Sequence, residues 1–259
     1  MIKKGRRGQI TIFVIIVIIL ISGTALFFIF REDIEIDIGG KQEENPEAFL
    51  NSCMKDKVKE SAKIISLHGG YMNNPLHKTF KFEGEDFVNI SYLCYTQSNY
   101  VQCVNQKPLL LQDLKEEIKN YLSQDMENCF DEMVESFSGR YVVASNYDSF
   151  EVEILPKRIN LQTDAGITLT KSEETTEHKD FQISVASRLY EVSSIVQEIV
   201  NQEAQFCYAE TLGIALTYPE LTINKLPTGD DIIYSVEHID SEEKFRFAIR
   251  DCVIPPGMI

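Results

Sequence analysis

The sequence predicts an α+β fold: a long N-terminal transmembrane helix followed by a domain of antiparallel β-sheet packed with about three helices. Three observations predict it. An apolar run from Ile10 to Phe30 contains no charge and no proline. Three later segments repeat apolar residues at steps of three and four, the period of a helix with one buried face. Others alternate apolar and polar residues at period two, as strands with one wet face do.

The apolar run, as a helix rising ~1.5 Å per residue, is about 31 Å long and matches a hydrocarbon core of ~30 Å. Lys3, Lys4, Arg6 and Arg7 precede it, and Arg31, Glu32 and Asp33 follow. The Lys/Arg excess stays cytoplasmic, so the expected topology is single-pass with residues 31–259 outside the cell membrane. A cleaved secretory signal has a shorter apolar region, about 7–15 residues, with a small-residue cleavage site behind it. Here Ser22-Gly23-Thr24-Ala25 lies inside the run, ahead of Leu26-Phe27-Phe28-Ile29-Phe30.

Residues 31–46 read as a polar linker, with Gly39-Gly40 and an Asn45-Pro46 stop. Proline suits the first turn of a helix, where its missing N–H is not needed. The first soluble helix carries Leu50, Met54, Val58, Ala62 and Ile65, and Gly69-Gly70 ends it. Residues 87–95, rich in β-branched and aromatic side chains, predict a strand. The strongest helix opens near Pro108. Its stripe is Leu111, Leu114, Ile118, Leu122, Met126, Cys129, Met133 and Phe137, and Gly139 is its stop. Alone such a helix is marginal, so something must cover the stripe. Then the period changes to two, at Phe150, Val152 and Ile154, at Ile159 and Leu161, at Ile167 and Leu169, and at Phe181, Ile183 and Val185. Pro156-Lys157 and Asp164-Ala165-Gly166 are the expected turns of an antiparallel meander. A third helix follows over about 187–208, with Val192, Val196 and Ile199 inward. Strands return at 221–226, at 232–236, and at Phe245, Phe247 and Ile249.

The chain has 25 basic and 40 acidic side chains. Without the four leader cations, 21 basic against 40 acidic side chains give a net charge of −19. This surface repels nucleic acid and anionic headgroups, since phosphate binding needs clustered Lys/Arg. The roughly 229 residues beyond the span suffice for a substantial core. All six cysteines, Cys53, Cys94, Cys103, Cys129, Cys207 and Cys252, lie beyond the span, and none forms a C-x-x-C. An even count in an exported region favours disulfides over metal or redox chemistry. Six cysteines allow 15 connectivities. Local geometry ranks first a hairpin closed by Cys94 and Cys103, then two helices stapled by Cys53 and Cys129, which leaves Cys207 for Cys252. Free buried thiols, which behave as small hydrophobes, are the rival reading.

No catalytic motif stands out. His68, His77, His178 and His238 lack the H-E-x-x-H spacing, and there is no G-x-S-x-G elbow or phosphate loop. Acidic pairs such as Asp230-Asp231 and Glu242-Glu243 read as surface on so acidic a protein. The sequence therefore predicts no enzyme, no cofactor and no metal. Asp33, Glu35, Asp37 and Glu44 match positions 1, 3, 5 and 12 of a calcium loop, but Ile38 replaces the glycine its sharp turn requires. Asn89-Ile90-Ser91 is an N-glycosylation acceptor whose use requires Asn89 to face solvent.

The segment Arg6-Arg7-Gly8-Gln9-Ile10-Thr11-Ile12-Phe13 resembles the class III signal peptide of archaeal type IV pilin-like proteins. The wider opening also resembles a group of uncharacterised archaeal membrane proteins with a KGQITIF-like start. Their next landmark is a helix like Asn51-Ser52-Cys53 leading to Leu67-His68-Gly69-Gly70-Tyr71. The first resemblance implies a basic leader, 1–8, cut by a prepilin-type peptidase after Gly8, with Gln9 the first mature residue. The helix 9–30 would stay uncut, in contact with membrane lipid and with copies of itself or other pilin-like subunits. Residues 47–259 would form the extracellular α+β domain. Many pilins carry glutamate at the fifth mature position. Here that position is Phe13, which removes one assembly contact and suits a helix standing alone in lipid. The expected function is a membrane-anchored, cell-surface structural or adhesive protein of pilin-like design, able to enter a surface filament or pilus. The alternative is an uncleaved single-pass receptor or scaffold with a binding ectodomain.

Overall fold

The computed structural model describes residues 45–98 and 101–252. The apolar run 10–30, the linker 31–44, Gly8 and Gln9, and the acids of the calcium-like count lie outside these residues. No helix among the described residues is long and apolar enough to cross a membrane.

The first helix, α1 (Pro46–Leu67), starts with proline inside its first turn, and the Asn45 side chain accepts from Glu47 N at 3.0 Å. Asn45 is thus the N-cap and Pro46 opens the helix, as its suitability for a first turn predicts, so the linker stops one residue before its expected end at 46. Its end is a Schellman turn. Gly70 N donates to Ile65 O at 2.8 Å, and Gly69 sits at φ +72°, where an added Cβ would meet Ser91 O at 2.8 Å. Only glycine fits there.

A hairpin of β1 (His77–Lys81) and β2 (Phe87–Tyr95) follows, then the short β3 (Val104–Asn105) antiparallel to the end of β2. Helix α2 (Leu110–Ser138) buries Leu110, Leu114, Ile118, Leu122, Met126, Cys129, Phe130, Met133 and Phe137. The stripe begins one residue before its sequence-based start: Leu110 is buried and Leu111 half-buried, because four residues back from Leu114 continues the face inward.

Strands β4 (Val142–Leu155) and β5 (Arg158–Lys171) form a long hairpin across Pro156-Lys157, and β6 (Glu174–Lys179) and β7 (Gln182–Ala186) both pair with β5 on its other side. Asp164-Ala165-Gly166 is not the expected turn. β5 runs straight through it, opposite a bulge where the register shifts between Tyr147 and Ser149. The turn-like residues mark that irregularity, and Gly166 lies where a Cβ would stand 2.9 Å from Asn146 Oδ1.

Helix α3 (Leu189–Phe206) ends at Cys207 in the left-handed region. A short helix, α4 (Thr211–Thr217), follows, and β8 (Leu221–Thr228), β9 (Asp231–His238) and β10 (Lys244–Arg250) complete the chain's order. The result is α+β, with four helices among the described residues and two sheets. One sheet runs β1-β2-β10-β9-β8, with β3 on β2; the other is β4-β5-β6, with β7 also on β5. The first sheet is mixed, not wholly antiparallel, because β2 and β10 run parallel at Tyr92/Ala248 and Cys94/Ile249.

The helices join the sheets. α1 packs on β7 and β10, α2 on α1 and β4, and α3 on strands of both sheets, all within one continuous apolar core. A second cluster, Ile90, Tyr92, Ile233 and Ala248, is packed by Phe80 and Phe82 of the β1–β2 hairpin and its turn. Alternation explains it: Ile232, Tyr234 and Val236 face the main core, so Ile233 faces the other side.

Candidate functional site

Three disulfides brace the domain: Cys53–Cys129, Cys94–Cys103 and Cys207–Cys252, with Cα separations of 6.0, 5.2 and 5.4 Å. These are the pairs ranked first from the sequence. The first staples α1 to α2, the second closes the β2–β3 hairpin, and the third ties the end of α3 to the chain beyond β10. Asn89 is exposed on β2, its Oδ1 accepting from Thr79 Oγ1 at 2.8 Å.

The four histidines lie on separate elements. His68 caps α1, His77 opens β1, His178 lies in β6, and buried His238 ends β9 with Nδ1 accepting from Ser241 N at 3.3 Å. Buried Asp231 is held by Lys78 at 2.7 Å and Arg250 at 3.2 Å, and Arg250 also reaches Asp230 at 3.2 Å. Asp231 is therefore an internal counter-ion, not the surface carboxylate expected. No cluster of three or more His, Cys, Asp or Glu able to hold a metal lies among the described residues.

The site with the shape of a binding groove is a cavity of about 660 Å³. Its size is typical of ligand sites. One wall is the C-terminal half of α1, the other the junction of β7 and α3, and the turn before β10 closes one side. Buried Val58, Ala62, Ile159 and Val185 form its floor, and Lys59, Lys63, Lys244 and Arg246 supply charge. A smaller cavity, about 270 Å³, lies between α2 and β4 and is polar, with Lys119 paired to Glu151 at 2.8 Å.

Two ion networks shape the larger groove. Arg246 is only 5 % exposed, yet its charge is matched. Both terminal nitrogens donate to the Glu85 carboxylate at 2.7 Å, and the guanidinium stacks 3.8 Å from the Phe82 ring centroid. Such fork-to-carboxylate pairing is the strongest form of ion pair. That hydrogen bond is the main reason the Glu85 carboxyl titrates below its usual range. Arg246 Nε remains buried without a partner. Glu243 accepts from Ser187 Oγ at 2.8 Å and from Arg188 N at 2.9 Å, capping α3 from the neighbouring turn. Glu242, on the rim, has φ +57°.

A separate buried network joins Tyr234, Glu203 and Lys225. The Tyr234 hydroxyl donates to Glu203 Oε1, and Lys225 Nζ approaches the same oxygen at 3.1 Å. Burial foremost, then the Glu203 hydrogen bond, pushes the Tyr234 phenol well above its usual range. Burial and the nearby Glu203 charge also raise the Asp251 carboxyl. Neither cavity is lined by these residues, so they act as a satisfied core network.

The sequence names some groove residues singly, Val58 and Ala62 as helix core, Ile159 and Val185 as strand core and Glu242-Glu243 as an acidic pair, but does not bring them together as a site. The one local signal was Lys59 and Lys63 at i, i+4 on one side of α1, and nothing along the chain links them to Arg246. No family model, no curated protein and no solved structure matches this chain.

Proposed function

We propose that this protein is a membrane-anchored cell-surface protein of type IV pilin-like design with a structural or adhesive role. The observation that carries this reading is the pairing of all six cysteines. Disulfides form and persist in oxidising surroundings and are rare in a reducing cytosol. The basic residues ahead of the apolar run orient the domain outward, and the Gly8-Gln9 junction supplies the processing site. The head offers a groove of about 660 Å³ in which a partner could sit. Phe13, in place of the glutamate many pilins carry, supports a second reading: an uncut single-pass receptor or scaffold whose ectodomain binds a ligand or protein.

Processing separates the two. Mass spectrometry of the protein isolated from its native membrane is expected to find Gln9 at the mature N-terminus. Met1 or Ile2 there would favour the receptor reading. Electron microscopy of sheared surface material, with the processed chain identified in it, would then distinguish a filament subunit from a dispersed adhesin. Recovery of the full chain in the cytosol with reduced thiols would defeat both.

A further inference from the structure

One wall of the larger groove is an open strand edge. Thr163 N donates to Phe181 O at 3.0 Å and Ser187 N donates to Lys157 O at 3.2 Å, so the odd residues of 181–187 turn their backbone groups toward β5. In an antiparallel strand the alternate residues point the other way. The N–H and C=O of Gln182, Ser184 and Ala186 therefore face away from β5. Asn51 Nδ2 of α1 donates to Gln182 O at 3.4 Å, which identifies that side as the one α1 flanks. Among the described residues the backbone groups of Ser184 and Ala186 have no partner. Ala186 lies in the groove wall with Val185 and Ser187.

The opposite wall carries Lys59 and Lys63, both exposed and without an ion pair among the described residues. Lys244 is paired with Glu237 at 3.4 Å. Of the carboxylates in the groove, Glu85 is held by Arg246 and Glu243 by Ser187 and Arg188, leaving only Glu242 uncommitted. Counted over its whole lining, four cations (Lys59, Lys63, Lys244 and Arg246) stand against three carboxylates (Glu85, Glu242 and Glu243), an excess of one positive charge on a chain of net charge −15.

We propose that this groove binds an extended segment of a partner protein, with alternating acidic and apolar side chains, as a strand added to the edge of β7. Ser184 and Ala186 supply the main-chain hydrogen bonds. Exposed Ala186, half-buried Leu67 and the aliphatic stems of Lys59 and Lys63 receive the apolar side chains, and the ammonium groups of Lys59 and Lys63 receive the carboxylates. Added strands draw affinity from the backbone and selectivity from alternate side chains. This deepens the adhesive reading and rests on it only in placing the groove outside the cell. A chain uncut at Gly8 would bind the segment equally, so the two fail separately.

The test uses the full chain in lipid nanodiscs and a fluorescein-labelled, N-acetylated (Glu-Ile)3 amide, followed by anisotropy against empty nanodiscs. Saturable binding is expected, weakened by about tenfold or more when alternate peptide amides are N-methylated. A (Lys-Ile)3 peptide should bind no better than background. The double variant Lys59→Glu/Lys63→Glu should lose affinity by a similar factor while retaining the three disulfides. Ala186→Pro, which removes an edge N–H not used by β5, should do the same; if it misfolds, the N-methylated peptide on the native protein decides the point. Absence of saturable binding, equal binding of the lysine peptide, or indifference to both N-methylation and charge reversal would overturn the proposal.

Discussion

At the scale of single residues, the domain depends on charges taken inside and then matched. Glu203 is 1 % exposed, and Tyr234 and Lys225 both reach the same oxygen of its side chain. Tyr234→Phe removes one donor and leaves the carboxylate poorly satisfied, so it should cost about 1–3 kcal/mol in urea unfolding. Full stability in that variant would show that Lys225 alone suffices. His68 behaves oppositely, as a half-buried group without a charge partner. Desolvation lowers its imidazole below the usual 6.5, partly opposed by a backbone hydrogen bond with Met72, and its Nδ1 has no partner. Below pH 6.5 the unfolded chain takes up the proton first. The His68 contribution is thus intact above that pH and is lost progressively toward the lower folded value. Melting temperature should fall between about pH 7 and pH 5, and His68→Gln should make that decline shallower. An unchanged slope would assign the decline to other groups. None of these partnerships is legible in the chain, because Glu203 and Tyr234 lie on different elements and nothing local pairs them.

At the scale of elements, legibility followed amphipathic strength. α1, α2 and α3 each bury a stripe at steps of three and four, and all three were placed within a few residues of their observed ends. β6 has no buried residue, and α4 buries only Ile214, so neither carried a pattern to detect. Gly166 looked like a turn because glycine after Asp-Ala is usually one; in β5 it answers a close neighbour across a bulge. The disulfides act between elements, and the loops they close differ greatly, at sequence separations of 76 and 9. Loop-closure entropy assigns about 4.5 kcal/mol to Cys53–Cys129 and about 2.6 kcal/mol to Cys94–Cys103. Replacing each pair by alanine should therefore lower stability more for the first than the second. Guanidinium unfolding of the two variants measures this, and the reverse order would place the main constraint in the native hairpin instead.

At the scale of the whole molecule, the decisive contact joins distant parts of the chain. β2 and β10 meet as a parallel pair, and through them the first hairpin shares a sheet with the last three strands. That pairing brings Glu85 to Arg246 and so helps build the groove beside α1. If the groove is formed by this assembly, Glu85→Gln should weaken capture of the acidic peptide less than the double lysine reversal does, since it frees Arg246 without removing a cation. Anisotropy titration of both variants gives the ranking. By itself the sequence determined the class of the domain, its main helices, its period-two strands and the preferred cysteine pairs. Each of these follows from local spacing of apolar residues or from the short list of geometries that can hold two sulfurs together. Only the tertiary structure decided the division into two sheets, the parallel join and the groove. These depend on contacts between residues far apart in the chain, where the entropy of closing a loop is overcome by burial that no local pattern records.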